Sequence, residues 1–263
     1  MIEIREVSQA YGVQDVLRQV SVSIKEKRIT ALVGANGAGK TTLLNVAANL
    51  IPAKSGQVFL DGKNISQMEN IEIAKKIAVL KQTQHLSMRI TVEELVAFGR
   101  YPHSKGRLKA WDQEKISQAI AYMDLQKIQD KFIDELSGGQ RQRAYIAMIL
   151  AQDTPYIFLD EPLNNLDIKY SVEMMTILQK LVRELDKTVI IVLHDINFAA
   201  AFADEIVAMR DGRIIRQGEA PSIINPDILR EVFDHDFHIV RVGTRKVCVY
   251  FQPQDMIPQA DPG

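Results

Sequence analysis

The chain has 263 residues, room for one large α/β domain or one domain with a small appendage. Its 32 Lys and Arg nearly balance 33 Asp and Glu, so the formal net charge is −1 and no global positive field favours nucleic acid. A single cysteine, Cys248, excludes an internal disulfide framework and fits a reducing compartment; its place in an alternating apolar run marks a buried strand residue.

Residues 1–5 lack the basic flank and apolar core of a signal peptide, and no stretch approaches the ~20 apolar residues of a membrane span. Ile2, Ile4 and Val7 alternate with polar residues and predict a strand; Leu17, Val20, Val22 and Ile24 predict a second, antiparallel to it. The apolar run Ile29–Val33 reads as a buried parallel strand. It feeds Gly34-Ala35-Asn36-Gly37-Ala38-Gly39-Lys40-Thr41, which fits G-x-x-x-x-G-K-[ST] at every fixed position, and a helix over residues 40–49 follows. In such a loop the glycines let backbone N–H groups turn inward around phosphate oxygens, and the helix N-terminus adds a favourable dipole. Lys40 is expected on the β- and γ-phosphates of ATP, and the Thr41 hydroxyl on Mg²⁺. A bare glycine turn would need neither side chain.

Residues 57–60 predict a strand closed by Asp61-Gly62, and residues 77–80 a short buried strand. From about 85 to 135 the texture becomes helical and poor in strands. Thr91-Val92-Glu93-Glu94 is a capping box opening a helix that ends near Gly99, and Ile116, Ala119, Ile120 and Met123 have helical spacing. Between these helices lies a polar, basic connector over residues 100–109, and the whole stretch is expected as a helical insertion.

Leu136-Ser137-Gly138-Gly139-Gln140 precedes a helix running to about 151. Locally it is a serine N-cap with flexible glycines. It also suits a second anion site, and a second γ-phosphate site on one chain suggests nucleotides sandwiched between two copies. The strand over residues 156–159 ends in Asp160-Glu161, carried to the carboxyl edge of the sheet where ligands bind in such folds. Asp160 is expected to hold magnesium through water, and Glu161 to orient or deprotonate the attacking water. A helix over 169–184, a strand over 189–193, a helix over 195–203 and a hairpin turning at Asp211-Gly212 complete the α/β texture. Beyond 221 the sequence predicts one helix, two strands and a polar, proline-bearing end.

These motifs, in this order and spacing, resemble the nucleotide-binding subunits of ABC transporters over essentially the first ~220 residues. The resemblance implies a P-loop NTPase core with a mainly parallel sheet, an N-terminal antiparallel β region and a helical insertion. It divides the chain into a core of residues 1–84 and 136–220, a helical subdomain of 85–135, and a C-terminal extension of 221–263. The phosphate loop resembles the family's Walker A, Asp160-Glu161 its Walker B with catalytic glutamate, and residues 136–140 its signature motif. Tyr11 resembles the aromatic that stacks on adenine, Gln82 the Q-loop glutamine that senses magnesium and water, Asn165-Leu166-Asp167 the D-loop, and His194 the switch histidine on the γ-phosphate.

The catalytic set implied is Glu161, His194, Gln82 and Lys40, with Mg²⁺ on Thr41, Gln82 and Asp160. Nucleotide contacts are implied at Tyr11, Gly34, Asn36, Gly37, Ala38, Gly39, Lys40, Thr41, Thr42, Ser137, Gly138, Gly139, Gln140 and Asp167. A single motor resembles importer subunits: a homodimer under integral membrane permeases, served indirectly by an extracytoplasmic binding protein, at the cytoplasmic face of the membrane and without nucleic acid. The wording of residues 98–103 and 161–167 resembles the iron–siderophore, haem and vitamin B12 subfamily, nearest to ferric siderophore ATPases. An exporter ATPase and a soluble ABC ATPase acting on ribosomes or DNA are the alternative readings. A permease dock is expected near Gln84–Met88 and Phe98–Tyr101, lined by Leu86, Met88 and Phe98, although Phe98 also suits a core role.

Overall fold

A computed structural model describes residues 1–81, 89–164 and 166–251. Strands β1 (Ile2–Tyr11) and β2 (Gln14–Ile24) pair antiparallel as their alternation predicts, with Ile2 opposite Ile24 and Ile4 opposite Val22. After β3 (Ile29–Val33) and α1 (Lys40–Ala47), strand β4 (Ser55–Leu60) returns to the far side of β1, and β5 (Lys63–Asn64) closes an antiparallel sheet of order β2-β1-β4-β5. Helix α2 (Asn70–Ala74) leads into β6 (Ile77–Leu80).

The chain then leaves the sheet for α3 (Val92–Phe98), α4 (Tyr101–Ser104) and α5 (Ala110–Tyr122). It returns through α6 (Gly138–Gln152), β7 (Tyr156–Asp160), α7 (Ile168–Leu185), β8 (Thr188–Val192), α8 (Ile196–Phe202), β9 (Glu205–Arg210) and β10 (Arg213–Glu219). The second sheet runs β10-β9-β3-β8-β7-β6, parallel except for edge strand β10.

Every residue of β3, β7 and β8 is buried, as a parallel sheet covered on both faces requires. Strand alternation sorts their side chains. Ala31, Ile157 and Ile191 face the core shared with α6, α7 and α8, while Leu32, Phe158 and Ile190 face α1 and the antiparallel sheet. This double cover leaves the carboxyl ends of the parallel strands as the open edge. Among the described residues no helix is long and apolar enough to cross a membrane.

In the insertion, Thr91 and Glu94 form the expected capping box of α3. Gly99 then lets α3 lie against α6, since a Cβ there would stand 2.0 Å from the Met148 carbonyl oxygen. The connector over 100–109 is not simply a solvated basic link. Arg100 is fully buried: its Nε donates to Asp112 Oδ1 at 2.9 Å, its Nη1 to the Ala151 carbonyl at 2.7 Å, and Trp111 lies over the guanidinium at 4.4 Å. A carboxylate, a helix-end carbonyl and an aromatic face compensate the buried guanidinium, whose Nη2 has no hydrogen-bond partner among the described residues, so local charge misleads there. Phe98 is half exposed and is not a core residue.

The C-terminal region forms α9 (Ala220–Ile223), α10 (Pro226–Phe233) and a hairpin of β11 (His238–Val242) with β12 (Arg245–Val249), which packs on α8 and buries Cys248 as expected.

Candidate active site

Strand β8 pairs with β3 on one side and β7 on the other, so three strand ends converge: Val33 leading into Gly34, Asp160 into Glu161, and Leu193 into His194. The loop after β3 wraps the start of α1. Gly34 has φ +150 and faces the Met209 carbonyl, where an added Cβ would lie 2.1 Å from the oxygen; Gly39 caps α1 in the left-handed region at φ +96. The turn between β9 and β10 braces this loop from outside. Gly212 N donates to the Ala38 carbonyl at 3.2 Å, and Arg18 N to the Gly212 carbonyl at 2.8 Å. The sequence marked Asp211-Gly212 only as a hairpin turn.

Lys40 is buried, and its Nζ donates to the carbonyls of Gly34 at 2.8 Å and Ala35 at 2.9 Å. An ammonium has three N–H groups, so one remains to be aimed at an anion. Burial pulls this ammonium below its ordinary pKa, against the attraction of Glu161 and Asp160. Thr41 Oγ1 donates to Asp160 Oδ1 at 2.8 Å. Burial holds the Asp160 carboxyl above its usual range despite that bond, and the neighbouring Glu161 charge adds to the effect.

Glu161 sits at φ 51, a left-handed conformation that costs a non-glycine residue about 1 kcal/mol or more. Both its oxygens are engaged. Oε1 lies 2.6 Å from His194 Nε2, and Oε2 accepts from Asn164 Nδ2 at 2.7 Å. Its side chain is only 12% exposed, against 39% for His194. The carboxylate is therefore aimed by two side chains rather than left loose at a strand end. Sequence reading missed Asn164 as a site residue; its only local signal is the i+3 position after Glu161.

A cavity of about 160 Å³ is lined by Val16, residues 36–42, Glu161 and His194. A second, of about 200 Å³, adjoins Glu161 and His194 from the side of Asn164, Leu166 and Ile168. Tyr11 is exposed beside the turn between β1 and β2, on the strand pair that supplies Val16. Asp167 caps α7, accepting from Tyr170 N at 3.0 Å.

Ser137 caps α6 and accepts from Gln140 N at 3.3 Å, while Gln140 Oε1 accepts from Ser137 N at 3.1 Å. Gly138 leaves the first turn of α6 open, and Gly139 rests against the Tyr170 ring, which an added Cβ would meet at 2.5 Å. None of residues 137–140 lines the phosphate cavity of this chain. Gln82, Asn165 and the expected dock residues 84–88 lie outside the described residues.

A site of this kind, with a phosphate loop, a buried cation and a carboxylate aimed at the same cavity, can bind a nucleoside triphosphate and activate a water. A family model described as ABC transporter matches residues 17–164. The petrobactin import ATP-binding protein YclP of Bacillus subtilis (strain 168) is 49% identical over 251 residues, 95% of this chain and 100% of that relative. The ferric enterobactin transport ATP-binding protein FepC of Escherichia coli (strain K12) is 38% identical over 230 residues, 87% of this chain and 85% of that one. A solved dimeric post-hydrolysis state of the ATP-binding cassette MJ0796, bound to ADP and Pi, aligns at a TM-score of 0.73 and 29% identity over 84% of this chain and 99% of that one. With the loop, the strand-end carboxylates and the capped α6 inside a family match that spans more than half the sequence, the chain belongs to the ABC transporter family, as an ATP-hydrolysing cassette.

Proposed function

We propose that this cassette is the motor of a membrane importer for ferric siderophores, working as a homodimer with two ATP molecules held between its protomers. The relatives' names, petrobactin and enterobactin transport among them, favour this cargo over haem or vitamin B12. The observation that carries the dimer reading is the separation inside one chain. Lys40 lies in the phosphate cavity, whereas the anion-ready amides of Gly138 and Gly139, at the start of α6 beside Ser137, lie outside it.

In this reading the helical subdomain of residues 85–135 faces a permease with the half-exposed Phe98 and Tyr101, and the start of α6 that follows it carries the partner's anion site. Residues 1–84 with 136–220 form the nucleotide core, and the assembly sits at the cytoplasmic face of the cell membrane. Asp167 lies along the protomer contact, and Tyr11 stacks on adenine.

Thr41 Oγ1 and Asp160 Oδ1 adjoin at the edge of the cavity, two hard oxygen donors that would suit Mg²⁺. Gln82 is the further ligand we assign. When bound, the ion would neutralise charge on the phosphates. The chain's own residues supply the rest. The loop amides of Gly34, Asn36, Gly37, Ala38 and Gly39, with Thr42, hold the phosphates, and Lys40 carries the countercharge. A water attacks the γ-phosphorus, the bond to the β-phosphate oxygen breaks, and ADP leaves. Glu161 takes the water's proton while His194 and Asn164 hold it in line.

Comparison of Lys40→Ala with Ser137→Ala tests the arrangement. Lys40→Ala loses ATP affinity in the isolated monomer. Ser137→Ala binds ATP like the unmodified chain in dilute monomer, yet hydrolyses it about ten- to a hundred-fold more slowly where dimers form, the worth of one charge-assisted hydrogen bond. Equal loss of monomer affinity in both variants would refute the sandwich.

A further inference from the structure

The turn that carries His194 is held from outside by the end of the chain. His194 stands just before α8, a helix of seven residues, too short to be stable without tertiary support. Asp195 caps it by accepting from Asn197 N at 2.8 Å. The side chain of Asn197 does not turn back on its own helix, the usual behaviour of asparagine in a first turn. It faces β12 and engages one residue twice: Oδ1 accepts from Cys248 N at 2.7 Å, and Nδ2 donates to the Cys248 carbonyl at 3.1 Å. The amide completes the backbone pairing of a strand edge, so the start of α8 and the hairpin move as one.

Two further ties fasten the hairpin. Arg245 Nη1 donates to the Ala201 carbonyl near the end of α8 at 2.6 Å, and Lys246 Nζ to the carbonyls of Pro221 and Ile224, each at 2.7 Å. Cys248 is buried inside this joint, and burial, with the Asp195 charge, pushes its thiol up to about 11. A continuous run of bonds thus leads from β12 through Asn197 and the Asp195 cap to His194, whose Nε2 lies 2.6 Å from Glu161. Asn197 itself lines neither cavity beside Glu161. His194 is 39% exposed, so packing alone does not fix its ring; its backbone must be placed by the anchored first turn of α8.

We propose that Asn197 is a positioning residue for the hydrolytic site, fixing the His194 imidazole on Glu161 by tying the first turn of α8 to β12. This rests on the assignment of His194 to the reacting site made above.

The test uses full-length Asn197→Ala, Asn197→Ser, Arg245→Met and His194→Ala. Cys248 is the only thiol, so its labelling rate reports hairpin docking without further engineering. The ring resonances of His194, assigned by their absence in His194→Ala, report the site. In Asn197→Ala, Cys248 labels faster and the His194 resonances shift and broaden. The kcat falls about ten-fold at little-changed KM for ATP, part of the roughly hundred-fold that a 1 Å misplacement can cost. Arg245→Met moves both readouts in the same direction by less, and either it or Asn197→Ser decides the matter if Asn197→Ala does not fold. Faster Cys248 labelling with unchanged His194 resonances and unchanged kcat would overturn the proposal, leaving the joint merely structural. Wild-type turnover in His194→Ala would instead remove the role of His194 on which the proposal rests.

Discussion

Glu161→Gln separates the shape of the Glu161 side chain from its basicity. The glutamine can keep both contacts of the carboxylate in one orientation only: its oxygen accepts from Asn164 Nδ2, and its NH₂ group donates to His194 Nε2, placing the imidazole proton on Nδ1. Two ordinary hydrogen bonds then replace two charge-assisted ones, so folding stability should change by only about 1 kcal/mol. ATP affinity should hold or tighten, because one of the two carboxylates competing with phosphate for the attraction of Lys40 is gone. The amide cannot accept the water's proton, and general-base catalysis is worth about 10²–10⁴ in rate. That corresponds to roughly 2.7–5.5 kcal/mol of transition-state free energy. Phosphate release under saturating Mg-ATP measures the rate, nucleotide titration the affinity, and chromatography in ATP the dimer expected to accumulate when hydrolysis no longer opens it. Turnover within a few-fold of the unmodified chain would mean that Glu161 is not the base. Marked unfolding with lost ATP binding would mean that the Asn164–Glu161–His194 arrangement demands the charge itself.

Asp112→Asn should destabilise the chain by about 3 kcal/mol at neutral pH, because it leaves the Arg100 guanidinium buried without its countercharge. Burial opposes ionisation of Asp112, but the Lys109 backbone N–H and Arg100 together outweigh it and hold the carboxyl below its ordinary value of 3.8. Its contribution to stability is therefore complete above about that pH and is lost as pH falls through the lower folded value, so urea midpoints of variant and unmodified chain should converge only in strong acid. Equal midpoints at pH 7 would show that the ion pair does not hold the α3–α4 junction against α5. Gly34→Ala meets the Met209 carbonyl at 2.1 Å and should cost at least about 2 kcal/mol and ATP binding with it, whereas Gly37→Ala, with nothing within 4 Å but φ +79, should cost about 1 kcal/mol. Equal costs in urea titration would show that left-handed strain, not the close approach to β9, decides these positions.

The parts of this protein that the sequence determined by itself are those whose physics is local. A phosphate loop needs glycines, a lysine and a hydroxyl within eight consecutive residues, between a strand and a helix, and residues 34–41 supply them. Capping boxes at Thr91 and Ser137 are likewise written within four residues, and the short, mostly apolar strands ending at Val33, Asp160 and Val192 announce a buried parallel sheet. Tertiary structure decided the partners. Placing β8 between β3 and β7 sets His194 beside Glu161, 33 residues away in sequence, and Asn164 completes the arrangement from a turn with no distinctive spacing. The burial of Arg100, the clasp of Asn197 on Cys248 and the brace of Gly212 behind the phosphate loop were equally illegible. Periodicity tells which face of an element is buried, but hydrogen-bond partners distant in the chain depend on strand order and helix packing, and no local pattern encodes either.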